Sequence, residues 1–399
     1  MKHRGCRTYV RRLRAMYIVV LAIIAAGGQM TPALAARLAL EDALKRAIAA
    51  DFALPAEEAR VLAAAAGVRQ ADRRVNPSVG ADLENFAGSG AFKGFNRNET
   101  TLFIQQLVER GDKRAARVGF AEAEVGTARA RAAVRILDLM RDVQVAWIEA
   151  LAATAQVRVV EERLSVARQL QAEIARRSQA GRDPAFAESR AKSQLALEQI
   201  ALERATSAAR TAKAVVSSYW RGSPNFDLDL HAFEHTRVTP EPTAHSVDVA
   251  LLEAQREAAN ARIGLERSKS YQDPTLRLGL RHLAEENDVA VIAGVSIPLG
   301  IFDTNRDNID RAFSERTATE LDLEAARRNL AREIARLDGR RSANATEARR
   351  IQAEVLPQAR RAGQLSQEGF ERGGFNYTDF SEPQRALNEV QLRRIEALT

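Results

Sequence analysis

A mainly α-helical chain carrying a membrane β-barrel portion is the fold class that this 399-residue sequence predicts. Three observations lead there. One plan occurs twice, because Asn76-Pro77-Ser78-Val79-Gly80 is answered by Asp273-Pro274-Thr275-Leu276-Arg277, and Ala180-Gly181-Arg182 by Arg372-Gly373-Gly374. The two prolines are 197 residues apart and the glycines Gly181 and Gly373 are 192 apart, so the halves run nearly in register. Each half places two alternating stretches among very long helical runs, and a secretory signal pattern precedes both.

Residues 1–35 read as that signal. Lys2, Arg4, Arg7, Arg11, Arg12 and Arg14 are its basic region, Met16 to Gly27 its apolar region, and Ala33-Leu34-Ala35 a small-x-small cleavage site. The apolar run is short of the ~20 residues that a spanning helix needs. Loss of the six basic residues takes the formal charge of the chain from +7 to +1. The high isoelectric point therefore belongs to the signal and gives no reason to expect nucleic-acid binding. Cys6, the single cysteine, leaves with it and is not placed for lipid attachment, so disulfides and thiolate metal sites are excluded from the mature chain.

The first repeat occupies 36–221. A helix is predicted over Leu38–Arg74, with Leu40, Leu44 and Ile48 on one face, ended by Pro77. A β-hairpin follows over 78–108. Val79, Ala81 and Leu83 alternate with Gly80, Asp82 and Glu84, then Ala87 to Asn98 form a loop and Thr100 to Val108 a second strand. Glu109-Arg110-Gly111-Asp112 turns into a helix over 114–180, 67 residues without proline and ~100 Å long at 1.5 Å per residue. Met140, Val143, Trp147 and Leu151 sit at helical spacing within it. Gly181-Arg182-Asp183-Pro184 breaks the helix, and a shorter one covers 185–220. The two short helices, roughly 36 residues each, would stack end to end to match the long one, which is the arithmetic of a cylinder wall.

An acidic, proline-containing linker spans 222–245, and the second repeat covers 246–399. Its helix runs from about Ser246 to Tyr271 and its hairpin covers 275–299. There Leu276, Leu278 and Leu280 alternate with Arg277, Gly279 and Arg281, and Val289, Val291, Ala293, Val295 and Ile297 share one side. A second long helix covers 305–371 with a kink expected at Pro357. Only 26 residues follow Gly373, so the last helix is expected to be short.

Each alternating stretch has the ~9–11 residues of a tilted transmembrane strand, polar on one side and apolar on the other. Phe86, Phe103, Tyr271 and Phe302 fall near strand ends, where an aromatic girdle belongs. Four strands cannot close a barrel, and open edges in lipid leave backbone groups unsatisfied. Copies must share the wall. A trimer gives twelve strands, an open lumen and twelve helical strands in the cylinder.

This plan resembles the outer-membrane efflux protein (TolC-like) family over essentially the whole mature chain. The segments that carry the resemblance are Asn76-Pro77, Glu109-Arg110-Gly111-Asp112-Lys113-Arg114, Ile297-Pro298-Leu299-Gly300-Ile301-Phe302-Asp303, and Gly373 through Leu387. Glu109 to Arg114 looks most like the CzcC-like branch serving heavy-metal cation efflux, with Asp112 where that branch has a second glycine. The resemblance implies a homotrimeric channel-tunnel, with a 12-stranded shared β-barrel in the outer membrane and a long α-helical barrel through the periplasm. It also implies docking onto a periplasmic adaptor and an inner-membrane pump of the resistance-nodulation-division (RND) type.

On that plan Asp82, Glu84, Arg277 and Arg281 line the barrel lumen. Asp379 and Glu382, three apart on one helix face, would gather six carboxylates at a trimer's periplasmic entrance, matched in the first half by Asp183 and Glu188. The alternative role for these acids is to favour a helix N-terminus. Gly181, Arg182, Gly373 and Gly374 form the tip turns where an adaptor would dock. His231 and His235 are four apart but sit in a solvated linker, so no metal site or cofactor is expected. No nucleophile or phosphate loop stands out. Within the duct class, metal cations are preferred over drugs or secreted proteins. The competing class is a periplasmic adaptor or coiled-coil scaffold, but an adaptor inserts one helical hairpin between β-rich halves, the reverse of this order.

Overall fold

The computed structural model describes residues 37–234 and 246–399, so the signal segment 1–35 and His235 lie outside the described residues. Where one helix was expected over 38–74 there are two, α1 (Leu40–Ala50) and α2 (Ala53–Ala71). Pro55 forces the break, since inside a continuous helix its ring would meet the carbonyl four residues back, at Asp51. Asp51 instead turns its side chain forward. Its Oδ1 accepts from the N–H groups of Ala53 (2.6 Å) and Leu54 (2.9 Å), two of the orphan donors at the start of α2. Its Oδ2 accepts from Arg135 at 2.9 Å.

Strands β1 (Ser78–Glu84) and β2 (Glu99–Leu107) join β3 (Thr275–Leu283) and β4 (Asp288–Ser296) in one antiparallel sheet, ordered β1-β2-β3-β4. The two hairpins of the repeat thus lie side by side, and β2 and β3 stitch them together from Glu99↔Leu283 to Leu107↔Thr275. The outer edges of β1 and β4 have no partner strand among the described residues. Because successive side chains point to opposite faces, the register collects Val79, Leu102, Leu278, Leu280 and Val291 on one face of the sheet. Val79 is 80% exposed and Val291 72%, an open apolar surface of the kind that meets a membrane or another protein.

Phe103 is not near a strand end but in the middle of β2, on the polar face. The register sets it between Gly80 and Gly279, and its ring lies over Gly80. A Cβ on Gly279 would lie 2.8 Å from the carbonyl oxygen of Leu102, so the backbones approach too closely for any side chain there. Phe86 stacks on Phe95 in the long β1–β2 loop, centroids 6.0 Å apart, while Tyr271 and Phe302 sit at the opposite, helical end of the sheet.

Both long helices start from a residue in the left-handed conformation, Asp112 before α3 (Lys113–Gln179) and Asn305 before α7 (Arg306–Arg350). Helix α3 is the spine. Leu139, Val143, Ala146 and Ala150, then Val160, Leu164, Ala167, Leu170 and Ile174, are buried at three- and four-residue spacings, the seam of a coiled coil. Alanine in that seam lets neighbours approach closely. Packed on α3 are α2 and α4 (Ala185–Ser218) on one side, and α6 (Val247–Lys269) and α9 (Tyr377–Leu398) on the other. Helices α7 and α8 (Leu356–Glu371) then pack on α6 and α9 respectively. Each copy therefore has four helical strands, with α2/α4 and α7/α8 as its two free edges. Helix α4 ends where α2 begins, marked by Arg221 lying 5.0 Å over the Phe52 ring.

A core of Leu38, Trp147, Phe226, Phe233 and Ile395 wraps the middle of α3, closed by short α5 (Leu230–Glu234). At Pro357 the chain relieves the lost N–H with a π-helical turn over Ile351–Val355, placed between α7 and α8.

Two outcomes are expected. Gly279→Ala should lower the melting temperature of the folded barrel, at a cost of about 1–3 kcal/mol, whereas Gly294→Ala, with its nearest neighbour at 3.9 Å, should be tolerated; heat-modified gel mobility distinguishes them. The second concerns Glu266 near the barrel end of α6. Burial pushes its carboxyl up, but hydrogen bonds from Lys269 (2.8 Å) and Asn305 (3.2 Å) outweigh that and hold it below its ordinary value. A lowered folded-state pKa adds stability that is complete above the unfolded value, about 4.3, and is lost as pH falls through the folded one. Glu266→Gln should accordingly flatten the acid limb of the melting-temperature profile below about pH 4.5 and leave the neutral limb parallel to wild type.

Candidate functional site

The polar face of the sheet and the far ends of the helices hold the residues with functional chemistry. On the sheet, Asp82 and Arg277 form an ion pair across β2, and Arg281 reaches Glu84 (2.9 Å), Glu99 (2.6 Å) and the Thr101 hydroxyl (3.0 Å). All four predicted lining residues therefore share one face. The Arg277 guanidinium also lies 3.5 Å over the Phe103 ring. Glu99 and Thr101 were not singled out in the sequence. The signal for them was available, since odd-numbered residues of β2 pair with Arg277 and Arg281 once the register is set.

The two interhelix turns have one geometry. After α3, Gly181 adopts φ +64°, its N–H donates to the Ser178 carbonyl (3.0 Å), and the Arg182 N–H donates to the Arg177 carbonyl (2.9 Å). After α8, Gly373 adopts φ +80°, its N–H donates to the Phe370 carbonyl (3.0 Å), and the Gly374 N–H donates to the Gly369 carbonyl (2.9 Å). These are Schellman caps, in which the left-handed residue is held by two backward hydrogen bonds. Gly374 is outside the left-handed region, so conformational freedom is required at Gly181 and Gly373 only.

The candidate acids differ in what they are already doing. Asp183 is paired with Arg177 at 2.9 Å and Glu188 with Lys192 at 2.7 Å. Asp379 completes a capping box: Asn376 accepts from the N–H of Asp379 (3.0 Å), and Asp379 accepts from the N–H of Asn376 (3.1 Å). Glu382 is exposed and forms no ion pair among the described residues.

What joins the two turns is a brace that sequence reasoning missed. Arg177 of α3 lies 4.8 Å over the Phe370 ring of α8, donates to the Phe370 carbonyl (3.2 Å) and holds Asp183. Arg190 of α4 lies 4.3 Å over the Tyr377 ring of α9. Beneath them Phe370 and Phe380, centroids 5.4 Å apart, pack with Leu170, Ile174 and Ala191. The clue was two phenylalanines flanking Gly373 in a chain with only 5% aromatics. No group of His, Cys, Asp and Glu arranged to hold a metal occurs among the described residues.

A sheet with one polar and one apolar face and two open edges, continued by helical strands with open edges of their own, defines a shared-wall channel through a membrane. The chain belongs to the outer membrane efflux protein family, whose model matches residues 43–220 and 241–399. It is similar to the cobalt-zinc-cadmium resistance protein CzcC of Cupriavidus metallidurans, 28% identical over 90% of this chain and 86% of that one. The nickel and cobalt resistance protein CnrC of the same organism is 28% identical over 73% of this chain and 71% of its own length. Among solved structures, the outer membrane protein VceC of Vibrio cholerae superposes with a TM-score of 0.72 at 19% identity, covering 90% of this chain and 92% of that chain. The protein is an outer-membrane efflux channel with a periplasmic helical tunnel.

Removing the brace should loosen the tip. Arg177→Ala loses a cation–π contact worth about 0.5–2 kcal/mol and leaves Asp183 unpaired. Reconstituted in a planar bilayer, it is expected to open more often or to a larger conductance than wild type. An unchanged record would show that the tip is not held there.

Proposed function

We propose that the chain is the passive exit duct of a tripartite efflux system for heavy-metal cations. It works as a homotrimer, with a periplasmic adaptor on its tips and an RND-type inner-membrane pump behind it. The observation that carries the assembly is the pair of open sheet edges, because lipid cannot satisfy their backbone groups and a neighbouring copy can. Three copies place twelve strands around a lumen wide enough to stay open, where eight would be filled by side chains. The cargo rests on the relatives, whose names are cobalt-zinc-cadmium and nickel-cobalt resistance proteins.

Conduction needs no catalytic group. The tunnel supplies a wet path, and the partners supply energy and choice. At the entrance, Glu382 from three copies, with Asp379 beside it, forms a carboxylate ring that draws cations in. Glu382 dominates the ring, since Asp379 commits one oxygen to its cap. Gly181, Arg182, Gly373 and Gly374 are the adaptor's footing. The lumen face carries Asp82, Glu84, Arg277 and Arg281 in ion pairs, which keeps either sign from binding a passing ion tightly.

Deleting the chain from its host should raise sensitivity to cobalt, zinc, cadmium or nickel and leave tolerance of dyes and antibiotics alone. The reverse pattern would reassign the cargo. In bilayers, Glu382→Gln should remove most of the cation preference with trimer assembly intact, and Asp379→Asn should remove less.

A further inference from the structure

The junction between sheet and helices carries a surface that conduction does not use. Apolar side chains occupy every odd position from Val289 to Ile301, so the lipid-side alternation of β4 continues past its last paired residue, Ser296. The paired part is too short for the bilayer on its own. Nine residues give ~30 Å along the strand and ~22 Å of height at a tilt of about 45°, against an apolar band of ~25 Å. Leu299, Ile301 and Phe302 make up the difference on the periplasmic side, and Phe302 is fully exposed.

One layer further along, the chain segments on either side of the sheet's helical end are held together. Arg117 donates to the Arg73 carbonyl (3.0 Å), Gln106 to the Val75 carbonyl (2.9 Å), the Arg110 N–H to Asp273 (2.8 Å), and Asn305 to the Glu266 carbonyl (2.7 Å). The basic residues of this layer fall into two groups. Lys113, Arg114 and Arg117 are paired with Asp273, Asp72 and Glu109. Arg73, Arg74, Arg110 and Arg306 are exposed, and among the described residues their guanidinium groups have neither a hydrogen bond nor an ion pair. Four unpaired cations per copy therefore stand immediately beyond the apolar band.

We propose that this junction is a collar that binds phospholipids of net negative charge in the periplasmic leaflet. Leu299, Ile301 and Phe302 enter the acyl region, and Arg73, Arg74, Arg110 and Arg306 hold the phosphates. The inference rests on the outer-membrane reading, because only embedded strands put the collar at headgroup depth. Asp112, Asp303 and Asp307 of the same layer are exposed without an ion pair among the described residues, so the free charges of the junction are mixed with basic groups in excess. Continuity with the lipid-facing side of the sheet and that excess single out this occupant. Guanidinium groups pair with phosphate oxygens in a planar, two-pronged geometry.

The test uses the purified full-length trimer in detergent, titrated with phosphatidylglycerol or phosphatidylcholine and read by native mass spectrometry at low and high salt. Wild type should retain phosphatidylglycerol about tenfold more tightly, a preference that salt weakens. The combined variant Arg73→Gln/Arg74→Gln/Arg110→Gln/Arg306→Gln should lose most of that preference and remain trimeric. Equal retention of the two lipids by wild type, or an undiminished preference in the variant, would overturn the proposal. So would dissociation of the variant trimer, which would assign these arginines to contacts between copies. Conductance of the same wild-type sample reports on the channel separately.

Discussion

Backbone amides in hydrocarbon must find partners within protein, and this constraint organises the molecule. A four-stranded sheet whose outer β1 and β4 edges have no partner among the described residues satisfies it by meeting the complementary edge of another copy. The helices obey the geometry the strands impose. Each strand hands over to a helical element through a short junction, so four strands become four helical rods, and the outermost rods inherit the role of the outermost strands. Ring closure at the top thus sets how the rods must close below. No separate oligomerisation motif is needed.

Most of this architecture was legible because membrane strands and long helices leave opposite periodicities in the sequence. Pro77 and Pro274 stand one residue before β1 and β3, and alternation put Asp82, Glu84, Arg277 and Arg281 on the polar side of their strands, although their pairing across β2 was not foreseen. The misses have physical causes. Pro55 was passed over inside an otherwise excellent helical pattern, although its ring contradicts helix at Asp51. Phe103 was assigned to a girdle from its expected place near a strand end, but the register sets it in mid-strand with its ring over Gly80 on the neighbouring strand. Arg177 could not be found from its own surroundings in sequence, because its partner Phe370 lies 193 positions away and contact across repeats has no local signature.

The two halves have diverged within their shared plan. Helix α3 buries an alanine-rich seam on several neighbours, while α7 has long exposed stretches and only Ala312, Leu323 and Ala348 buried. The first half therefore carries most of the core within one copy, and the second packs α6 and α9 along the same spine. At the tip the halves meet through the few contacts around Arg177 and Arg190, and at the other end through the β2–β3 ladder.

The π-helical turn over Ile351–Val355 has a geometric effect of its own. A helix advances about 100° per residue, so one surplus residue in a turn rotates everything downstream by that amount about the axis. The azimuth of α8, and with it the direction in which Phe370 points, is accordingly set by how many residues the turn holds. Shortening that stretch by one position would re-aim the whole lower rod and swing Phe370 out of its seat against Phe380 and Arg177.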